Sequence, residues 1–218
     1  MSPAGSTPAP PADGTVFVVE DDDALADALV FLLASRGIAA ERFDAAETFL
    51  RRLRAEPDWP RGPACLLLDV RMRGLSGIEL FERLRRERPD LAAPVVFLTG
   101  HGDIRMAVDA LKDGAFDFFE KPFSDNRLAD RLIEALRESE RRIRAAEGSA
   151  SVEARLERLS AREREVMDRV LEGKPNKLIA HELGISMRTV EVHRSNVFAK
   201  MEVRSAVELA RLLAPGGA

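Results

Sequence analysis

Cysteine is almost absent from this 218-residue chain: Cys65 stands alone, so no internal disulfide can form. A single thiol agrees with a reducing compartment, and a cytoplasmic protein is expected. No apolar run approaches the roughly 20 residues needed to span a bilayer, which removes a membrane-embedded role and a membrane partner from consideration. The first 14 residues hold four prolines and no basic residue. A signal peptide needs a basic start and an apolar stretch, so residues 1–13 are expected to be a disordered leader. No internal repeat is visible, which excludes a stacked array. Neither the Walker spacing nor GxGxxG is present, which removes the common nucleotide cradles. Strong basic charge is lacking too. The net charge is −4, which taken alone argues against a nucleic-acid binder.

The distribution of charge says more than its sum. Residues 151–218 carry 12 Lys/Arg against 10 Asp/Glu, and the rest of the chain 21 against 27. An acidic front and a mildly basic back fit two domains with different partners. Hydrophobic residues at 45% and charged residues at 32% are ordinary for a globular chain.

The front half alternates short apolar runs with longer amphipathic ones. Strands are expected at Thr15–Val19, Ile38–Phe43, Ala64–Leu68, Pro94–Leu98 and Ala115–Phe119. Helices are expected at Ala24–Ser35, Ala45–Ala55, Ser76–Arg88, Asp103–Lys112 and from Asp125 to about Glu147. Continuous apolar strands imply burial on both faces, as in a parallel sheet covered by helices. Five β-α units in this length predict a doubly wound, flavodoxin-like (βα)5 domain over residues 14–138, with ligands at the carboxyl ends of its strands. Periodicity breaks near Gly148-Ser149-Ala150-Ser151, so a partly helical linker is placed at 139–156. Residues 157–214 then read as a second, all-α domain with helices at Ala161–Leu171, Asn176–Leu183, Met187–Met201 and Ser205–Leu213.

Polar residues gather where the strands end: Glu20-Asp21, Asp69, Thr99 and Lys121. An acyl-phosphate site needs an exposed carboxylate nucleophile, a hard cation with oxygen ligands, a fixed ammonium and a hydroxyl. Asp69 suits the nucleophile, Asp21 a metal ligand with Glu20 acting through water, and Lys121 and Thr99 the ammonium and hydroxyl. Asp22 and Asp23 follow the same strand and could equally cap the next helix, which leaves the register of the acidic pair open. The loop Thr99-Gly100-His101-Gly102-Asp103 supplies glycine mobility, and His101 is assigned neither a metal nor a base role.

This constellation, with Lys121-Pro122, resembles the receiver domain of response regulators over roughly Gly14–Glu138. The resemblance implies Mg²⁺ held by Asp21, Asp69 and the backbone carbonyl of Arg71. It also implies a cis peptide between Lys121 and Pro122, and Phe118 as a switch aromatic coupled to the hydroxyl of Thr99. One departure stands out. Receivers usually carry Met-Pro after the phosphorylated Asp, and here the stretch is Met72-Arg73, which restores a free φ and an N–H. A haloacid-dehalogenase-like phosphatase also uses an Asp nucleophile with Mg²⁺, but places a second acid where this chain has Arg71.

In the back half, Ser160 and Glu163 form a capping-box pattern. Asn176–Met201 reads as helix, tight turn at Gly184-Ile185-Ser186, and helix, the arrangement that places a second helix in the major groove. On a wheel of about 100° per residue, Val190, Arg194, Val197, Phe198 and Met201 share one side. Arg188, Glu191, Val192, Ser195 and Ala199 share the other. Glu191 can accept from a cytosine amino group and Val192 can meet a thymine methyl. Lys177, Arg188, Arg194 and Lys200 are candidate phosphate contacts. The run from Leu159 to Val166, Asn176-Lys177, Ile179-Ala180, and Arg188-Thr189-Val190-Glu191-Val192-His193-Arg194 resemble the LuxR-type domain, which implies base reading by Glu191, Val192 and Ser195. Thr189 joins this DNA-binding set, and His193 is given a scaffold role.

Together the halves resemble the FixJ/NarL class of response regulators, in its FixJ-like branch. The resemblance implies a transcription regulator rather than an enzyme. Its expected partners are a sensor histidine kinase, double-stranded DNA, a second copy of itself when phosphorylated, and RNA polymerase as a further candidate. A phosphorelay module whose back half docks on a protein is the competing reading.

Overall fold

The computed structural model describes residues 13–100 and 104–214. The leader expected at 1–13 therefore lies almost wholly outside the described residues, as do His101, Gly102 and Asp103. The chain forms two compact units, one ending at Ile143 and one beginning at Arg144.

In the first unit five strands, β1 (Thr15–Val19), β2 (Ala39–Phe43), β3 (Ala64–Asp69), β4 (Val95–Thr99) and β5 (Asp117–Glu120), form one sheet in the order β2-β1-β3-β4-β5. Every pairing is parallel. The helices between them are α1 (Asp23–Ser35), α2 (Ala46–Ala55), α3 (Gly77–Glu87) and α4 (Ile104–Lys112), and α5 (Asp125–Glu157) follows. The period-2 alternation of the strands divides the core into two layers. Phe17, Val19, Leu66, Leu68 and Phe97 join Phe49, Leu53, Leu80 and Leu84 of α2 and α3 on one face. Val16, Val18, Leu67, Val96 and Leu98 join Leu29 and Leu33 of α1 and Leu128, Leu132 and Leu136 of α5 on the other. A cluster of Phe17, Phe43, Phe49 and Trp59, with ring centroids 4.5–6.2 Å apart, anchors the first layer. Parallel strands burying both faces must project their polar ends at one edge, so the sheet itself assembles the site.

Local chemistry sets the boundaries. Asp22 is the N-cap of α1, its side chain accepting from the N–H groups of Ala24 and Leu25 at 2.9 and 3.1 Å. The open register of the acidic run thus resolves in space: Asp22 caps, and Glu20 and Asp21 remain at the strand end. Ser76 and Glu79 form a reciprocal capping box at α3. β5 starts later than its sequence pattern suggests. The α4 C-terminus wraps through Gly114 at φ 98°, with the Ala115 N–H donating to the Ala110 carbonyl, and this consumes the first residues of the apolar run.

The largest departure is α5, an unbroken 33-residue helix that passes through the segment expected to break at Gly148–Ser151. Residues 139–156 are helical throughout, not in part. Gly148 costs about 1 kcal/mol against alanine, but no proline interrupts the segment and Ala, Glu and Arg surround it. Glu138 pairs with Arg141 and Arg142, and Leu156 packs on the second core. The second unit is completed by α6 (Ala161–Leu171), α7 (Asn176–Leu183), α8 (Met187–Met201) and α9 (Ala206–Leu212) around Val166, Val170, Ile179, Val190, Val197, Met201 and Leu209. Gly184, at φ 64°, makes the left-handed turn between α7 and α8. Among the described residues no helix is long and apolar enough to cross a membrane.

The helical path through Gly148 is testable. Gly148→Ala should raise the unfolding free energy by up to about 1 kcal/mol, whereas Gly148→Pro should cost about 3 kcal/mol and lose far-UV helical signal. Equal thermal melts and equal circular dichroism for the two variants would show that the segment is not helical.

Candidate functional site: a carboxylate cluster and a helix-turn-helix face

Glu20 and Asp21 follow β1, Asp69 closes β3, Thr99 closes β4 and Lys121 follows β5. The order β2-β1-β3 makes β1 and β3 neighbours, so two acidic strand ends meet where the winding reverses. Carboxylate oxygens of Glu20, Asp21 and Asp69 lie within 4.8 Å of one another. Lys121 Nζ donates to Asp69 Oδ1 at 2.7 Å and to Glu20 Oε2 at 2.9 Å. Its backbone is fixed by an N–H bond to the Thr99 carbonyl at 2.8 Å, and the Lys121–Pro122 peptide is cis.

Burial sets the electrostatics. Glu20 and Asp69 are buried, which pushes both carboxyl groups above their ordinary pKa, and the bonds from Lys121 oppose that rise. For Lys121, burial alone would lower the pKa, but the bonds to Asp69 and Glu20 prevail and hold it above the ordinary lysine value. Asp21 behaves differently. The Arg73 backbone N–H, aided by the Arg73 side chain, holds its pKa below the ordinary value. Three oxygen-only donors at this separation match the preference of a hard divalent cation.

Thr99 is fully buried, and its hydroxyl donates to the Gly100 carbonyl at 3.2 Å rather than to Asp69. Phe118 stands opposite Phe97 in the sheet register and is half-buried against the first core layer. One site residue carried no weight in the sequence pattern: Gly77, the first residue of α3. A Cβ there would sit 2.2 Å from the Asp69 carbonyl oxygen, so only glycine lets α3 approach the end of β3. Nothing in a lone Ser-Gly pair announces that contact before the fold exists.

In the second unit the face of α8 is divided as its wheel suggests. Val190, Val197 and Met201 are buried, while Arg188, Glu191, Val192 and Ser195 are exposed. Lys177 on α7 is exposed as well. Thr189 is half-buried, sharing a 2.7 Å hydroxyl contact with the capping Ser186. Arg194 donates to Asn176 Oδ1 at 2.8 Å and lies over the Phe198 ring at 5.4 Å. Lys200 is drawn inward, its Nζ 2.6 Å from Glu163 Oε2. With the Ser160 N–H, that bond brings the Glu163 carboxyl to a pKa of about 2. The ammonium of Lys200 braces α6 against α8 instead of standing free toward solvent.

Comparison with known proteins agrees with both halves. Residues 16–133 match the response regulator receiver domain family, and residues 157–213 match the luxR family of bacterial regulatory proteins. The chain is 49% identical over 199 residues to the C4-dicarboxylate transport transcriptional regulatory protein DctR of Rhodobacter capsulatus, covering 91% of this chain and 98% of that one. It is 44% identical over 204 residues to the transcriptional regulatory protein FixJ of Bradyrhizobium diazoefficiens, covering 94% and 96%. Among solved structures, the response regulator StyR shares 42% identity with a TM-score of 0.81, covering 92% of this chain and 98% of that one. Full-length FixJ from B. japonicum shares 43% identity with a TM-score of 0.57, covering 92% and 96%. The chain thus carries a receiver domain and a luxR-type helix-turn-helix domain, and it belongs to the FixJ-like two-component response regulators, DNA-binding transcription regulators rather than metabolic enzymes.

Proposed function

We propose that Asp69 is the phosphoryl acceptor of a sensor histidine kinase and that its phosphorylation controls DNA binding by the second domain. The receiver is assigned to residues 14–138, the DNA-binding domain to 157–214, and residues 139–156 to a helical connector. The observation that carries the reading is the bridge from Lys121 Nζ to Asp69 and Glu20 at 2.7 and 2.9 Å. It places a fixed positive charge beside the carboxylate that must stay ionised to attack. The Asp69 carboxylate oxygen forms a bond to phosphorus as the bond from phosphorus to the donor histidine nitrogen breaks, and the departing imidazole takes up a proton.

The oxygen-only cluster fits Mg²⁺, with Asp21, Asp69 and the Arg71 backbone carbonyl as ligands and Glu20 acting through water. When bound, Mg²⁺ would offset the charge of the phosphoryl oxygens. Thr99 would turn its hydroxyl from the Gly100 carbonyl toward the new phosphoryl group, and Phe118 would rotate inward behind it. That rearrangement would remodel the face of α4 and β5, where Met106 and Val108 are exposed, and favour a dimer. Two copies suit two half-sites about one helical turn apart. Glu191, Val192 and Ser195 are assigned to base edges, Lys177, Arg188 and Arg194 to phosphates, and Thr189 to the start of the reading helix. Lys200 is moved from the phosphate set to the scaffold, because Glu163 already holds it. RNA polymerase is the further partner through which the bound dimer would act on transcription.

The first test is enrichment of genomic DNA fragments by protein treated with acetyl phosphate and Mg²⁺, beside Asp69→Ala. Enrichment that depends on acetyl phosphate and is lost in Asp69→Ala is expected. Equal enrichment by both proteins would remove control by Asp69, and none by either would favour a back half that docks on protein. On an identified site, Lys177→Ala should weaken binding to all sequences alike and reduce the salt slope by about 1, while Glu191→Ala should cost about 1–3 kcal/mol and relax the sequence preference. Unchanged sequence preference in Glu191→Ala would remove it from the base-reading set.

The brace makes a pH prediction. A carboxyl lowered on folding from 4.5 to about 2 contributes stability that is present above about pH 4.5 and is lost as pH falls toward about 2. Lys200→Met removes the main cause of the lowering. Chemical denaturation across that window should show a shallower loss in the variant than in the wild type, with DNA affinity unchanged. A reduced affinity and salt slope in Lys200→Met would return this lysine to the phosphate contacts.

A further inference from the structure

Of the three acids in the cluster, Asp21 alone is not held by Lys121; a different cation answers it. Arg73, in the loop between β3 and α3, makes three bonds to this one residue. Its backbone N–H and its Nε each donate to Asp21 Oδ2 at 3.0 Å, and Nη2 donates to the Asp21 backbone carbonyl at 3.2 Å. The backbone bond needs any residue except proline, which has no N–H. The two side-chain bonds use the fixed fork of a guanidinium, which a lysine cannot reproduce.

The loop is also held from its other side. Gly74 turns at φ 80° against Glu47, whose Oε1 accepts the Leu75 N–H at 2.9 Å. Arg73 is thus presented to Asp21 by an anchored turn, although its side chain is 86% exposed while that of Asp21 is 19% exposed. Each carboxylate of the cluster therefore has a protein cation: Lys121 for Glu20 and Asp69, Arg73 for Asp21. A divalent cation ligated by Asp21 would compete for the carboxylate that Arg73 grips, and would bring a second positive charge beside the guanidinium.

We propose that Arg73 is a built-in competitor of the divalent cation. It is a positioning residue that holds Asp21 in the absence of metal, must release it for full ligation, and so raises the cation concentration at which the site fills. This rests on the reading of Glu20, Asp21 and Asp69 as a Mg²⁺ site, and it deepens that reading. The sign separates competition from a structural role. If Arg73 merely ordered the loop, its removal would loosen the ligands and weaken cation binding. If it competes, its removal strengthens binding.

The test is isothermal titration of the full chain with Mg²⁺, using wild type, Arg73→Ala, Arg73→Lys and Asp21→Asn. Melting curves confirm that each variant is folded. The scale of an exposed ion pair predicts Mg²⁺ binding about 2- to 5-fold tighter in Arg73→Ala. Arg73→Lys should fall between it and the wild type. The gap should shrink as ionic strength rises, because the guanidinium is exposed and screened. Equal or weaker binding in Arg73→Ala, with binding lost in Asp21→Asn, would overturn the competition while leaving the metal site intact. No binding in any protein would overturn the metal-site reading and the proposal together.

Discussion

The bridge between Lys121, Glu20 and Asp69 is the constraint around which the first domain is arranged. Two carboxylates are buried there within a few ångströms of each other, and burial makes each harder to ionise. The two bonds from the Lys121 ammonium oppose that rise and favour the charged forms. The Lys121 backbone hangs on the Thr99 carbonyl, so the position of the ammonium depends on the pairing of β4 with β5. The positions of Glu20 and Asp69 depend on the pairing of β1 with β3. A slip in either register would separate the charges and leave buried carboxylates without a partner, which is costly. The site and the sheet thus constrain each other.

Gly77 belongs to the same economy of space. The α3 N-terminus packs so closely on the end of β3 that no side chain fits between them. The loop joining them carries Arg71, Met72 and Arg73 past the site, and its bends are set by Gly74, Glu47 and the Ser76 capping box. An arginine in that loop acquires significance only because the loop is pinned. A free arginine beside three acids would be a solvated charge with many conformations, and its ion pairs would be worth little.

The second domain solves a different problem. Its four short helices need their ends satisfied, and Ser160, Ser186 and Ser205 cap three of them. The inward pull of Lys200 on Glu163 ties the first of these caps to α8. The result holds one face of α8 outward with small and mixed side chains while the other face is buried. A reading helix requires that division, because the exposed face must be free of structural duty.

Much of this protein was readable in the order of its residues. Alternating apolar strands and amphipathic helices specify a parallel sheet, because both faces of each strand must be buried. The polar residues that end the strands, Glu20-Asp21, Asp69, Thr99 and Lys121, gather at one edge of the sheet, because every parallel strand delivers its carboxyl end to the same side. The serine caps and Gly184 delimit the second domain, because their effects are local. What the tertiary structure decided depends on contacts distant in sequence. Whether Gly148 breaks a helix depended on the helix formers and packing on either side of it, not on its own propensity. Whether Lys200 faces solvent or Glu163 depended on how α6 and α8 pack. That Arg73 grips Asp21, 52 residues away, follows from the juxtaposition of two loops that no local pattern records. Propensity and capping act over a few residues, whereas ion pairing acts through space, and only the folded chain says which charges are neighbours.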